Sequence, residues 1–347
     1  MVSSATARPG KPGARLALIA ACLAVVVVGL GAFTRLSDAG LGCPDWPGCY
    51  GHLLWPRADH EIASADARFP DAPVIAGKPW PEMVHRYFAG SLALCIVALA
   101  VLAWRWRQSR DYPLRLPLLL LFLVIWQALF GMWTVTLKLW PQVVTLHLLG
   151  GISVLALLWL LALRLQDRPW RVEGAIARRL RALKPWIVLG LATVFCQIAL
   201  GGWITSNYAA LACGDFPTCH GQWWPAMNFA QGFDITQRVG PNYLGGLLES
   251  QARTAIHMGH RIGALVTTLI TLGLCAALLA IPWSGARRLA GLIALALTVQ
   301  VSLGIANVHF ALPLPVAVAH NLGAAFLLLT LVTLATKIWT LRDAHDH

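Results

Sequence analysis

A glutamate, a histidine and an arginine stand together at the start of a long apolar stretch. Glu82, His85 and Arg86 precede an apolar run that continues to Trp104. Ionisable side chains are costly inside a membrane and usually mark a functional site there. Because Glu82 and His85 are three residues apart, they share one face of a helix. The pattern predicts a functional site where a helix enters an apolar medium.

The same pattern occurs a second time with one change. His257, His260 and Arg261 begin another apolar stretch, and His257 takes the position that Glu82 has in the first copy. A carboxylate in one copy and an imidazole in the other predict two related sites with different chemistry.

Four histidines are predicted to lie in two matched pairs. Each follows the start of a predicted helix by one to two turns, or about 6–9 Å at 1.5 Å per residue. Two imidazoles at equal depth on different helices of a bundle can bind one flat macrocycle from its two faces. A hydrogen-bonded structural role is the ordinary alternative for a single buried histidine, and zinc is a weaker one. The repetition favours two hemes, held by His85 with His147 and by His260 with His320.

Composition identifies the surrounding medium as a membrane. The chain is 58% hydrophobic and 12% charged, with a mean hydropathy of +0.65, whereas a soluble domain carries about 25% charged residues. The net charge of +12 does not indicate nucleic acid, because the basic residues cluster between apolar stretches. Eight stretches are long enough to span the hydrocarbon at about 20 residues each: 15–35, 83–104, 117–137, 143–163, 186–206, 256–281, 288–308 and 315–337.

The eight predicted helices form an internal repeat. Gln127 and Gln300 each lie 20 residues before a histidine of a pair, and Gly131 and Gly304 match in the same frame. Four helices per half is an even number, so the repeat is parallel. The predicted fold is an all-α polytopic membrane protein with two parallel-repeat four-helix bundles: residues 1–165 with outer loop 36–82, a linker at 166–184, and residues 185–347 with outer loop 207–255.

The distribution of Lys and Arg predicts the orientation. Most of them fall in the segments that share a side with the N-terminus, which places both termini in the cytoplasm. The two long loops then lie outside, in a bacterial-type inner (plasma) membrane.

Eight cysteines divide into two groups. Four lie in apolar helices and are predicted to be core residues: Cys22, Cys95, Cys196 and Cys275. The other four lie in the outer loops at identical spacing, and an oxidising outer face favours the disulfides Cys43–Cys49 and Cys213–Cys219. A structural staple and a redox-active pair both remain open.

Other polar residues near the histidines have two interpretations each. Arg86 and Arg261 suit heme propionates through charge-assisted hydrogen bonds, or they reach the interface as snorkelling side chains. Gln127 and Gln300 are predicted to bridge helices by hydrogen bonds. Glu82, near the edge of a heme, could act as a base or stabilise positive charge on a substituent carbon, or simply stabilise the helix N-terminus.

The motifs together resemble the heme A synthase family, over a range from about Ala17 to Lys337. The resemblance rests on TRLSDAGLGCPDWPGC at 34–49, EMVHR at 82–86, HMGHR at 257–261, and His147 and His320. It implies oxidation of the C8 methyl group of heme O to a formyl group, through an alcohol, giving heme A for terminal oxidases. It also implies that Glu82 serves the reacting carbon, that His85 and His147 flank the substrate heme, and that His260 and His320 bind a permanent heme b.

Partners and rival functions follow from the same resemblance and composition. Cytochrome oxidase assembly is the implied process, a heme O synthase is the implied upstream partner, and membrane lipid surrounds the chain. A homo-oligomer is left open, and nucleic acid is not expected. The alternatives are a quinone-linked di-heme b-type cytochrome, which would need no asymmetric glutamate, and a heme carrier, which should lack a tightly held second heme.

Overall fold

The computed structural model describes residues 10–237 and 240–344, and this part of the chain is mostly helical. Eight long, apolar helices are able to cross a membrane, which confirms the predicted all-α polytopic fold. They are α1 (Ala14–Leu36), α3 (Pro79–Arg105), α4 (Arg115–Thr136), α5 (Pro141–Gln166), α7 (Lys184–Ser206), α9 (Ser250–Leu279), α10 (Ser284–His309) and α11 (Leu314–Trp339).

The remaining elements are short and lie between the long helices. The outer loops contain α2 (Asp59–Arg68) and α8 (Phe229–Gly232), and the linker contains α6 (Gly174–Ala182). Strand β1 (Arg171–Val172) pairs in parallel with β2 (Arg342–Asp343). This small sheet ties the linker to the chain that follows α11.

Two helices begin earlier than the sequence predicts. Helix α3 begins at Pro79 and α9 begins at Ser250, so Glu82 lies inside a helix and not in front of the predicted span, and His257 lies further from the helix start than predicted. Proline is tolerated in the first turn of α3 because its missing N–H has no partner within the helix. The side chains of Glu82 and His257 are therefore held by helical backbone.

The long helices form two rings of four that share one core. Helix α1 packs against α3 and α5, and α4 lies between α3 and α5; α7, α9, α10 and α11 repeat this arrangement. Contacts of α1 with α11, and of α5 with α7 and α11, join the rings. Arg35, at the end of α1, donates hydrogen bonds to the Tyr208 hydroxyl (2.9 Å) and the Thr205 carbonyl (2.7 Å) across this boundary. The predicted domain boundaries stay a prediction.

Many large apolar side chains point outward, as a lipid environment requires. Leu94 is 72% exposed and Leu295 is 62% exposed. Cys22 and Cys196 are also exposed, whereas Cys275 is buried. The prediction that all the helical cysteines are core residues was therefore wrong. A helix in lipid is apolar all round, so its sequence does not separate the core face from the lipid face.

Candidate functional site

The structure brings the first predicted histidine pair together. His85 on α3 and His147 on α5 face each other with ring centroids 6.5 Å apart and ring planes at 83°. Among the described residues, neither buried Nδ1 atom has a hydrogen-bond partner. A metal between two imidazoles needs two metal–nitrogen bonds of about 2 Å each, and with half the width of each ring this gives a centroid separation of about 6 Å. The pair therefore fits a metal bound from both sides.

Each of the four histidine rings packs against a glycine on the preceding long helix. A Cβ atom added at that glycine would lie within van der Waals contact of Cε1 of the ring, so a larger residue would push the imidazole away. The distances are 3.0 Å from Gly31 to His85, 3.3 Å from Gly131 to His147, 3.3 Å from Gly201 to His260 and 3.1 Å from Gly304 to His320. The same construction serves all four imidazoles.

The second pair, His260 on α9 and His320 on α11, lies close enough for the two side chains to interact electrostatically. Gln197 Nε2 lies 3.0 Å from Nδ1 and 3.2 Å from Nε2 of His260. Gln300 Nε2 lies 3.4 Å from Nε2 of His320, which confirms the helix-bridging role predicted for Gln300. Sequence reasoning missed Gln197, although its position four residues before Gly201 matches that of Gln300 before Gly304.

Glu82 is buried and held by two partners. Glu82 is only 5% exposed. Its carboxylate forms an ion pair with Arg86 and accepts a hydrogen bond from the Cys43 backbone N–H at 3.1 Å. Gly42 makes this approach feasible, because a Cβ there would collide with the Lys78 carbonyl group. A buried carboxylate is tolerated only when it is paired and hydrogen-bonded in this way.

His257 occupies the corresponding position in the second half with different partners. The residue is also 5% exposed, and its Nδ1 donates to the Ala209 carbonyl oxygen at 3.1 Å. The two halves therefore differ in charge at this position. The first half has a carboxylate that contacts Arg86 and the Cys43 loop, and the second half has an imidazole that contacts a backbone carbonyl group.

The outer loops repeat one disulfide-linked turn. The structure pairs Cys43 with Cys49 and Cys213 with Cys219, as predicted. An aspartate between the cysteines organises each turn: Asp45 accepts from the N–H groups of Tyr50 and Gly51, and Asp215 accepts from those of His220 and Gly221. Hydrogen bonds from the Thr218 hydroxyl and the backbone lower the pKa of Asp215 to about 2.

The two predicted arginines hold these turns against the helices. Arg86 donates to the carbonyl oxygens of Asp45 (3.0 Å), Pro47 (3.2 Å) and Gly48. Arg261 donates to those of Asp215 (2.7 Å) and Thr218 (2.8 Å). Propionate binding by Arg86 and Arg261 stays a prediction, and a propionate would compete with these carbonyl groups.

The donor set suits a macrocycle better than a compact ion. A zinc site needs at least three protein donors, and in residues 10–237 and 240–344 no three His, Cys, Asp or Glu side chains converge to hold a metal ion. Two imidazoles suffice for a heme, whose macrocycle brings its own four nitrogens.

These features define a class of protein: an eight-helix membrane protein with two similar halves, each with a histidine pair beside a disulfide-linked outer loop. The model of the COX15-CtaA family, described as cytochrome oxidase assembly protein, matches residues 14–332. The chain belongs to this family.

Known relatives carry a more specific name. A protein of Shewanella oneidensis named "Heme A synthase" is 46% identical over 91% of this chain and 93% of its own length. Proteins of Caulobacter vibrioides (27% identical, 94% and 96% covered) and Halalkalibacterium halodurans (27% identical, 62% and 66% covered) carry the same name.

Proposed function

We propose that this protein is a heme A synthase, an oxidoreductase that converts the C8 methyl group of heme O to the formyl group of heme A. The observation that carries the proposal is the difference between two otherwise matched halves: Glu82 in one and His257 in the other. The relative that is 46% identical is named for this activity. The asymmetry separates a reacting site from a site that only holds a cofactor.

The first half binds the substrate. His85 and His147, whose ring centroids lie 6.5 Å apart, would hold heme O as the substrate. The second half binds heme b between His260 and His320. When bound, heme b supplies a redox centre with an iron that gains or loses one electron.

Two oxidations convert the methyl group. Written with water as the oxygen donor, the first gives the alcohol and the second gives the aldehyde hydrate, and each releases two electrons and two protons. Loss of water from the hydrate gives the formyl group. The electrons leave to an acceptor outside the chain.

Glu82 serves the reacting carbon. Its carboxylate accepts a proton or stabilises positive charge that develops on that carbon. Arg86 and the Cys43 N–H hold the carboxylate in place, so that little reorganisation is needed during the reaction. His257, tied to the Ala209 carbonyl, offers no such charge, and the second heme is left unchanged.

The cellular setting follows from the substrate and product. A heme O synthase supplies the substrate, and cytochrome oxidase assembly uses the product. The protein lies in the bacterial inner membrane, surrounded by lipid, with both termini in the cytoplasm. Both a monomer and a homo-oligomer are compatible with this function.

The extracted pigment tests this function. The full chain is expressed in cells that supply heme O, and the hemes are extracted from the purified protein and from the membranes. Heme A or its alcohol precursor is the expected result. Heme b alone, in two stably bound copies, would contradict the proposal and indicate a b-type electron-transfer cytochrome. Heme O that leaves unchanged would indicate a heme carrier.

A further inference from the structure

Three of the four histidines share a glutamine–glycine pair, and His85 does not. The glutamine lies four residues before the glycine that contacts the ring, and a second glycine lies three residues after the histidine. We name this combination the amide pair. It consists of Gln127 with Gly150 at His147, Gln197 with Gly263 at His260, and Gln300 with Gly323 at His320.

The amide pair is a packing unit. In all three copies the space where a glycine Cβ would stand is taken by the terminal amide of the glutamine. The best-connected copy is Gln197, whose Nε2 donates to the His260 carbonyl oxygen at 3.0 Å and lies 3.0 Å from Nδ1 of the same residue. Gln197 therefore contacts both the backbone and the ring of His260.

The amide pair is missing at His85, because positions 27 and 88 hold neither a glutamine nor a glycine. Val27 takes the place of the glutamine and packs against the hydrophobic core. Phe88 takes the place of the glycine and is 39% exposed. Among the described residues no side-chain amide reaches His85 from this helix pair, whereas the lack of a hydrogen-bond partner at the buried Nδ1 is shared by His85, His147 and His320. The ring of His85 packs against Gly31 and interacts with the Val27 backbone, without a side-chain amide beside it.

We propose that Gln127, Gln197 and Gln300 are positioning residues for their histidines, and that Val27 with Phe88 makes His85 the exchangeable ligand of the substrate site. Polar groups that contact a metal-binding imidazole orient its ring, and losing such a contact typically costs about 10–100-fold in metal affinity. Both histidines of the second half have an amide pair, which suits a permanent heme. The first half has one, which suits a heme that must leave after oxidation.

This inference rests on the proposed function, and heme retention tests it independently of turnover. Gln197→Met removes the amide at similar volume, and Gln197→Glu keeps the size but replaces the Nε2 donor with an oxygen. The combined Val27→Gln and Phe88→Gly changes build the missing amide pair at His85, with Phe88→Gly alone as the matched control. Heme content after detergent purification and the midpoint potentials of the bound hemes are measured for each full-length variant.

The expected results differ between the halves. Gln197→Met lowers retention of the second-half heme by about 10–100-fold and shifts its potential, and Gln197→Glu also lowers retention because it cannot donate to the His260 carbonyl oxygen. The double change at positions 27 and 88 raises retention in the first half by at least about tenfold, while Phe88→Gly alone does not. Unchanged retention and potential in Gln197→Met, or no gain in the double variant, would overturn the inference.

The two failures are distinguishable. Absence of heme A in the wild type contradicts the proposed function. Unchanged heme retention in the variants contradicts the positioning role, whichever hemes the wild type contains.

Discussion

Glu82 shows how a charged residue is accommodated where the sequence is otherwise apolar. Its carboxylate is buried, ion-paired with Arg86, and bound by the Cys43 N–H. Removing one partner of a buried ion pair leaves an uncompensated charge and is costly. Glu82→Gln is therefore a better probe of the chemistry than Glu82→Ala, because the amide keeps the size and part of the hydrogen bonding.

A second residue-scale prediction concerns Tyr50 in the first outer loop. Burial, followed by the charges of Asp66, Glu82 and Asp45, raises the pKa of Tyr50 from 10.0 to about 12. The unfolded chain ionises first, so the stabilisation from the neutral phenol is complete below pH 10 and is lost as the pH rises to about 12. Ultraviolet titration of tyrosinate in the wild type, minus Tyr50→Phe, should show this late transition. A difference curve centred near pH 10 would contradict it.

The sequence indicated candidate residues for the site but not all their contacts. The repeated motifs indicate Glu82 and the four histidines, and the structure brings His85 and His147 together. The contacts of Arg86 with loop carbonyls depend on how a loop about 40 residues away in the chain folds back, and no local pattern carries that information. Gln197 was within reach, because its spacing to Gly201 repeats that of Gln300 to Gly304.

At the scale of single helices, the glycines beside the histidines are open to a controlled test. A Cβ at Gly304 would lie 3.1 Å from Cε1 of His320, whereas a Cβ at Gly291 on the same helix meets nothing within 4 Å. Gly304→Ala should displace the imidazole and reduce bound heme several-fold, while Gly291→Ala should not. The heme-to-protein ratio measures both, and equal ratios would contradict this role of Gly304.

The two disulfides predict different effects when they are removed. Each closes a loop with a sequence separation of 6, for which chain entropy gives about 2 kcal/mol. Replacing Cys43 and Cys49 by serine should also slow heme A formation, because the Cys43 N–H binds Glu82. Replacing Cys213 and Cys219 should lower only the thermal stability. Thermal unfolding and heme A formation are measured in parallel, and equal loss of activity in both variants would contradict this distinction.

Helix positions were predictable, but helix faces were not. The predicted spans agree with the observed helices within a few residues. In lipid the backbone N–H and C=O groups can be satisfied only in a helix or a closed barrel, so each long apolar stretch had to be a helix. The early start of α9 was missed because its first turn is polar, and that of α3 was missed because its first turn contains two prolines and Glu82. The exposure of Cys22 was missed because core and lipid are equally apolar.

For the whole molecule, the number of spans and the distribution of basic residues together predict the membrane orientation. An even number of spans places the two termini on one side, and the Lys and Arg distribution makes that side the cytoplasm. Reporter fusions that are active only outside the cytoplasm should be silent at both termini and active in the loops 36–82 and 207–255. Activity at one terminus alone would contradict an even number of spans.

The measurement that tests the account most directly compares the matched positions of the two halves. Heme profiles are recorded for membranes of the wild type, Glu82→Gln and His257→Gln in cells that supply heme O. Glu82→Gln should keep its bound hemes but stall at heme O or its alcohol, with conversion slowed by at least about 100-fold. His257→Gln should still produce heme A. Full heme A production by Glu82→Gln would contradict the assignment of the chemistry to the first half.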